Sequence, residues 1–372
     1  MNGPKRWVHL LLLGLSATPI DAQRAQRAIR DVTIADTSDT LQLSAIIDMA
    51  NGPRGLIAAG DYSSRSILVF DERGRFISRF GKSGRAPGEF QHLASIGFRG
   101  DSVWGADPIA QRVTLFALKD GGVRTFSPTL NRDPRLVRVR PIGLLADGRV
   151  FAVTTLPPSA LSDEATHYLA VPANGSIADT LLSSIATMMW KLPGTREQLL
   201  GQAQLVQPFA SATRFRLSAN GAFIASAASR SETSGKASLV DVHLRSTSGQ
   251  DLFRRTLKIP AGRVPPASID SVLAVARLIR PISASELRRT LIVPDLMPPL
   301  ARVYVSSSGS VVLQLQPGGP TIRYVALNAR GDSVGTFTLP RSFEARLAVE
   351  GALWGVERDQ DDVPTIVRYR YR

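Results

Sequence analysis

One pattern recurs six times along this chain, and a chain built that way is confined to a narrow set of folds. Each copy is a short strand, a tight turn carrying glycine, and a second apolar strand. The copies cover residues 48–60, 97–106, 144–153, 216–226, 304–314 and 348–356, with Gly52, Gly100, Gly148, Gly221, Gly309 and Gly351 as their turn glycines. Such hairpin turns need positive φ, which Gly and Asn tolerate best. A second hairpin follows each of the first five copies, over 67–80, 113–126, 167–182, 239–257 and 322–339. Two hairpins make one four-stranded antiparallel blade. The glycine spacings of 48, 48, 73, 88 and 42 residues fit one blade per repeat, with insertions in the two long gaps.

The sixth copy is followed by a third strand, 365–372, and no fourth. A strand-like segment, 29–35, precedes the first copy and belongs to no hairpin. As the outer strand of the last blade it closes the ring and removes an open edge. The expected fold is all-β: a six-bladed β-propeller of four-stranded antiparallel blades, in one domain over 23–372. The insertions, about 183–205 and 260–295, lack strand alternation and read as partly helical. In the second, Ser268 is placed to cap a helix with apolar Ile269, Val272, Leu273, Ala276 and Ile279, ended by Pro281. Ser283 and Glu286 form a capping box for a shorter helix.

Residues 1–22 read as a secretory signal peptide. Lys5 and Arg6 precede an apolar stretch, 7–15, too short to span a bilayer, and Ala22 supplies a small residue at the cleavage site. The expected location is the periplasm or the exterior, with no transmembrane segment in the mature chain. The chain has no cysteine, which excludes disulfides, thiolate metal sites, a cysteine nucleophile and a lipoprotein anchor. Net charge is +14, and only six of the 45 basic residues are lysine. The arginines are scattered. At Arg138/Arg140 and Arg368/Arg370/Arg372 they alternate with other residues, as on a solvated strand face. This argues against a dedicated polyanion patch. Export and the lack of an aromatic-interleaved basic patch disfavour nucleic acid. An envelope protein, a glycan or an anionic polymer remain as partner classes.

The segment from Gly74 to Phe90, which runs through Phe80-Gly81 and Gly84-Arg85-Ala86-Pro87-Gly88-Glu89-Phe90, resembles the NHL-type propeller repeat. Asp107 and Arg112 fit the continuation of that repeat, and the likeness extends over about 60–127. It implies a six-bladed propeller. It implies no single activity, because proteins of that kind bind proteins, RNA or carbohydrates, and some are lyases or lactonases.

Gly331-Asp332-Ser333-Val334-Gly335 matches the nucleophile elbow in form only. A strand follows where a helix is required, and no histidine lies beyond His243. The mature histidines, His92, His167 and His243, form no local metal pair. The candidate ligand-binding residues are His92, in the loop entering an inner strand, with Asp61, Asp107 and Arg112, a polar set at one rim of the channel. Asp61 and Asp107 occupy equivalent positions and fit a second role, as caps that fix their loops. The densest acidic run offers Asp359, Asp361 and Asp362 as oxygen ligands for Ca²⁺ or another divalent ion, although it lacks the twelve-residue loop pattern. Lactonases of the regucalcin type hold a divalent metal at the channel mouth through Glu, Asn and Asp, and no residue here matches those ligands individually. Two classes of function remain: an exported, non-catalytic scaffold for ligand or protein binding, and a metal-assisted hydrolase, lactonase or lyase acting at the channel mouth.

Overall fold

The structure is a computed structural model that describes residues 18–19, 25–34, 43–128, 138–155, 166–172, 179–184, 190, 207–231, 237–279, 282–317 and 319–372. After a two-residue strand β1 (Thr18–Pro19) and β2 (Ala28–Ile34), the chain lays down six blades in order. Blade I is β3 (Ile46–Asn51), β4 (Ile57–Asp61), β5 (Ser66–Phe70) and β6 (Phe76–Phe80). Blade II is β7 (Ser95–Arg99), β8 (Ser102–Asp107), β9 (Arg112–Ala117) and β10 (Val123–Phe126). Blade III is β11 (Arg138–Leu144), β12 (Val150–Thr155), β13 (Thr166–Val171) and β14 (Asp179–Ser184). Blade IV is β15 (Arg214–Leu217), β16 (Phe223–Ser231), β17 (Ala237–Ser246) and β18 (Asp251–Pro260), with β1 parallel to β18. Blade V is β19 (Leu300–Val305), β20 (Val311–Leu315), β21 (Thr321–Leu327) and β22 (Ser333–Pro340). Blade VI is β23 (Glu344–Val349), β24 (Ala352–Arg358), β25 (Pro364–Tyr371) and, on its outside, β2.

The ring closes as the sequence requires. β2 runs antiparallel to β25, with Ala28 opposite Tyr371 and Ile34 opposite Ile366. A bulge between Arg30 and Val32 leaves Asp31 as the extra residue. Its carboxylate accepts Nε and Nη2 of Arg368, both at 2.8 Å, and pairs with Arg370 at 3.0 Å. The face expected to be a solvated arginine ladder is therefore partly engaged, and Arg368 also lies 5.2 Å from the Trp354 ring.

Each seam between neighbouring blades has its own apolar cluster, since a sheet face is stable only when another face covers it. Phe70 and Trp354 sit in the VI–I seam, Phe90 and Ile67 in I–II, Val113 and Val150 in II–III, Val240 and Val311 in IV–V, and Tyr324 and Phe343 in V–VI. A fully buried Phe or Leu at such a seam contributes ~1.5–3 kcal/mol. The III–IV seam differs. Among the described residues its fully buried part is Leu145, Phe151, Ala170 and Ile224, and half-buried Ile142, Tyr168, Leu181, Phe215 and Leu217 pack against it.

Five of the six turn glycines have positive φ, at Gly100, Gly148, Gly221, Gly309 and Gly351. Gly52 departs from the expected pattern. It is extended, with φ −115°, and the turn's positive φ falls on Arg54 and Gly55. Gly52 is needed for space, because a Cβ there would lie 2.8 Å from the Phe98 ring. In the second insertion, helices α1 (Pro266–Ile279) and α2 (Ala284–Thr290) form where helices were expected. Ser268 lies inside α1 instead of capping it, because proline suits a first turn and the helix starts two residues earlier at Pro266. The Ser283–Glu286 capping box is present. Ile269, Leu273 and Ala276 face inward with Trp190 and Phe209. Residues 185–189 and 191–206 of the first insertion lie outside the described residues, and so does Pro281.

Candidate functional site

The inner strands β3, β7, β11, β15, β19 and β23 surround the axis, and their first residues define one mouth of the channel. The ends of the second strands lie on the same face: Asp61 is opposite Ile46 and Ala106 is opposite Ser95. Asp61, Asp107, His92 and Arg112 therefore gather on the mouth side, over blades I and II. Their bonding there is local. Asp107 is wholly buried and accepts four backbone N–H groups, from Gln91 (2.6 Å), His92 (3.2 Å), Ile109 (3.0 Å) and Ala110 (2.8 Å). Asp61, also buried, accepts Ala45 N–H, Ser63 N–H and the hydroxyls of Ser44 and Ser64. Each aspartate ties the loop arriving from the previous blade to the turn that follows its own strand. The two turns are copies of one another, with Arg65 and Gln111 at φ 51° and 54° four residues after each aspartate.

Arg112 donates to the carbonyls of Arg85, Ala86 and Glu89, at 2.9, 3.0 and 2.6 Å. It thereby pins the Gly84–Phe90 loop that carries the repeat signature. Phe90 is wholly buried under that loop, and Gly81, at φ 77°, has no room for a side chain beside the Phe90 ring. His92 is half-buried, with its ring edge-on to Tyr62 at 5.3 Å. None of these four residues lines the axial cavity.

The axis itself holds a different set. A cavity of about 260 Å³ lies between the inner strands, walled by Met49, Ile96, Trp104, Leu217, Val305 and Leu347. A wider opening of about 610 Å³ continues it to the mouth, and the two share Phe215, Arg216, Tyr304 and Arg346. The far end is crossed by the β15–β16 turn. Ala219 accepts Phe98 N–H of blade II at 3.4 Å, and Asn220 donates to Ser307 of blade V at 3.1 Å. Ser307 in turn donates to Asn51 of blade I. Gly97 makes this possible, since a Cβ there would stand 2.8 Å from the Ala219 carbonyl. Among the described residues the channel is a cup, open at the mouth and crossed at its base.

Arginine dominates the wall of the cup near its mouth. Arg214, Arg216, Arg302 and Arg346, from blades IV, V and VI, all line it. Arg216 reaches across the axis to the buried Asp48 of blade I, which also accepts Ile96 N–H at 3.0 Å. The Asp48 carboxylate raises the Arg216 guanidinium further above its ordinary value. Arg346 donates to the Ile46 carbonyl at 3.0 Å and pairs with Glu344. The Tyr304 hydroxyl donates to Gln314 and to the Ala345 carbonyl, at 2.9 and 3.1 Å, and burial pushes that phenol above its ordinary value. Arg214 and Arg302 have no acidic partner among the described residues. On the III–IV side stand Tyr168 and Phe215, with rings 4.1 Å apart.

Local geometry explains why Arg346 points inward. Inner strands β3, β11, β19 and β23 each carry a bulge near the mouth, between Ile46 and Asp48, Pro141 and Gly143, Leu300 and Arg302, and Ala345 and Leu347. A bulge adds one residue and re-aims its side chain. The extra residues, Ile47, Ile142, Ala301 and Arg346, all line the axial space. Strict alternation does not locate them, which is why they were not among the sequence candidates.

Asp359, Asp361 and Asp362 lie in the β24–β25 turn, away from the axial lining. Asp359 accepts the N–H groups of Asp361 and Val363, at 3.0 and 2.9 Å, and Asp362 pairs with Arg358 at 3.4 Å. Among the described residues no three His, Asp or Glu side chains converge as metal ligands. The cup offers guanidinium groups where a divalent cation would need carboxylates, so the residues on the axis do not fit a metal of the lactonase type.

No family model matches the chain, and no curated protein matches it. Solved structures do. A member of the DUF4221 family from Bacteroides vulgatus superposes with a TM-score of 0.52 at 10% identity, over 94% of this chain and 99% of that one. A structure named as that of an exported protein from Bacteroides fragilis gives 0.49 at 12% identity, over 93% and 95%. The PQQ-bound aldose sugar dehydrogenase of Streptomyces coelicolor gives 0.43 at 12% identity, over 94% and 100%. At these identities the likeness is one of fold. Among the described residues no helix is long and apolar enough to cross a membrane.

Proposed function

We propose that this chain is an exported recognition module, an NHL-like propeller that holds a ligand in its axial cup without turning it over. The observation that carries this reading is the lining of the cup. Its charged groups are guanidinium side chains, which stay protonated and cannot serve as general bases. Asp48, the carboxylate on the axis, is held by Arg216 and a backbone N–H. The Tyr304 phenol, pushed up by burial, stays a neutral hydrogen-bonding group. A wall of fixed cations recognises acceptors, and the Ser95 and Ser218 hydroxyls that share the lining are already donating to Ile142 and Asn220. The partner classes are an envelope protein, a glycan or an anionic polymer, met in the periplasm or outside the cell after residues 1–22 are removed.

Two measurements test this reading. N-terminal sequencing of the chain recovered from the cell envelope should start near Gln23, and recovery from the cytoplasm with Met1 intact would end the export reading. The purified chain, screened against lactones, esters and glycans with and without added divalent ions, should show no turnover. A rate abolished by changing a cup residue would replace the binding module with an enzyme.

A further inference from the structure

The cup also carries information about what kind of ligand it takes, and the following inference rests on the axial-site reading above. Its inward-facing charged groups are mostly cationic. Four guanidinium groups stand against two carboxylates, Asp48 and Glu344, and both carboxylates are already paired. Arg214 and Arg302 are exposed at the mouth with no acid to neutralise them among the described residues. Trp104, 2% exposed, lines the inner cavity, and its indole N–H has no acceptor among the described residues. A buried donor left without a partner is costly, so the orphan indole marks a place in the inner cavity where an acceptor is missing, and Arg214 and Arg302 line the opening that leads to it.

Size and shape narrow the choice. The inner cavity of about 260 Å³ is ring-sized and crossed at its base by the Ser218–Asn220 segment. A polymer cannot thread it, but a single unit can enter end-on. Apolar Met49, Val305 and Leu347 and the Tyr168–Phe215 pair give such a unit a surface to lie against. Arginine's planar fork matches a carboxylate in two parallel hydrogen bonds.

We infer that the axial cup is an oxyanion site that takes the carboxylate of one ring-sized acidic ligand end-on, with Arg214 and Arg302 as its anchors. The shared chemistry is a carboxylate on a ring, whether a sugar acid or an aromatic acid.

Calorimetric titration of the purified chain, without residues 1–22, tests this with glucuronate and benzoate, each against its uncharged counterpart, glucose and benzamide, and with inorganic phosphate. The expected result is that at least one carboxylate binds, that its uncharged counterpart binds at least tenfold more weakly, and that raising the salt weakens binding. Preference for glucuronate or for benzoate identifies the source of the carboxylate. Arg214→Gln and Arg302→Gln should each lower carboxylate affinity about tenfold or more at unchanged melting temperature, with partial rescue by Arg214→Lys or Arg302→Lys. Equal binding of charged and uncharged probes would overturn the oxyanion assignment and leave the axial-site reading in place. Phosphate binding that excludes both carboxylates would overturn the carboxylate assignment. Binding of none of the five probes would overturn the inference, and a ligand later captured elsewhere on the surface would remove the axial site with it.

Discussion

The two sides of the channel mouth are built on opposite principles. Over blades I and II the polar residues are buried aspartates, and every acceptor position faces the protein's own backbone or a neighbouring hydroxyl. Over blades IV, V and VI they are arginines that line the axial opening, Arg216 and Arg346 paired with Asp48 and Glu344, and Arg214 and Arg302 without an acid among the described residues. The first side is a clamp and the second a surface for something else. The difference teaches that a conspicuous, repeated polar residue can belong to the scaffold. Asp61 and Asp107 recur because two blades need the same loop held in the same way. Arg214, Arg302 and Arg346 also share a position, each three residues before the end of its inner strand, but no matched loop explains them.

This contrast is open to direct attack. The largest effect belongs to the clamp. Asp107→Ala strands four part-buried N–H groups and should cost ~2–4 kcal/mol in chemical denaturation. A loss under about 1 kcal/mol would mean the loop is held by something other than this carboxylate.

Next comes the base of the cup. Gly97→Ala pushes a Cβ against the Ala219 carbonyl and the Trp104 ring, and should cost ~2–3 kcal/mol by overpacking. A neutral result would show that the base yields and that the cup is not closed by fixed contacts.

The third prediction concerns ring closure. Burial acts to raise the Asp31 carboxyl, but Arg368 and Arg370 together hold it below its ordinary value of 3.8. Its folded-state value is depressed, so its contribution is present above the ordinary carboxylate value and is lost as pH falls through the lower folded one. Solvent screening of this exposed carboxylate limits the effect, so Asp31→Asn should lower stability by ~0.5–1 kcal/mol at pH 7, and the gap to the parent should close below about pH 3–4. Melting curves at both pH values check this, and a gap that persists in acid would place the effect in the bulge geometry instead.

The smallest effect is the most diagnostic. Arg214→Gln and Arg302→Gln remove charges that hold no acid in place, and each should change stability by less than ~0.5 kcal/mol. A loss as large as that of Asp107→Ala would make the arginine side a clamp as well and erase the contrast.

Much of the architecture was legible before any coordinates. Turn glycines separated by apolar strands mark hairpins through local sterics, and the missing last strand points to its replacement at the other end of the chain through the cost of an open edge. The Ser283–Glu286 box was readable because capping is a contact between residues three apart. Ser268 was misplaced as a cap because Pro266, fixed in φ, opens the helix first. Gly52 was taken for a turn glycine, whereas its place is decided by Phe98 from the next blade. The equivalence of Asp61 and Asp107 was visible in the repeat, and both of their readings, rim ligand and loop cap, were open. Burial and four acceptor contacts on each favour the cap.

The sequence by itself determined the repeat, the blade count and the ring closure, because hairpin turns and strand alternation depend on residues a few positions apart. Only the tertiary structure decided where the charge goes. Arg214, Arg302 and Arg346 are separated by 44 to 132 residues and read as scattered in one dimension. Six-fold closure brings the starts of all inner strands to one axis, and the bulge in β23 turns Arg346 inward against the expected alternation. Such a constellation has no signature in strand alternation, since the residues that compose it become neighbours across blades and not along the chain.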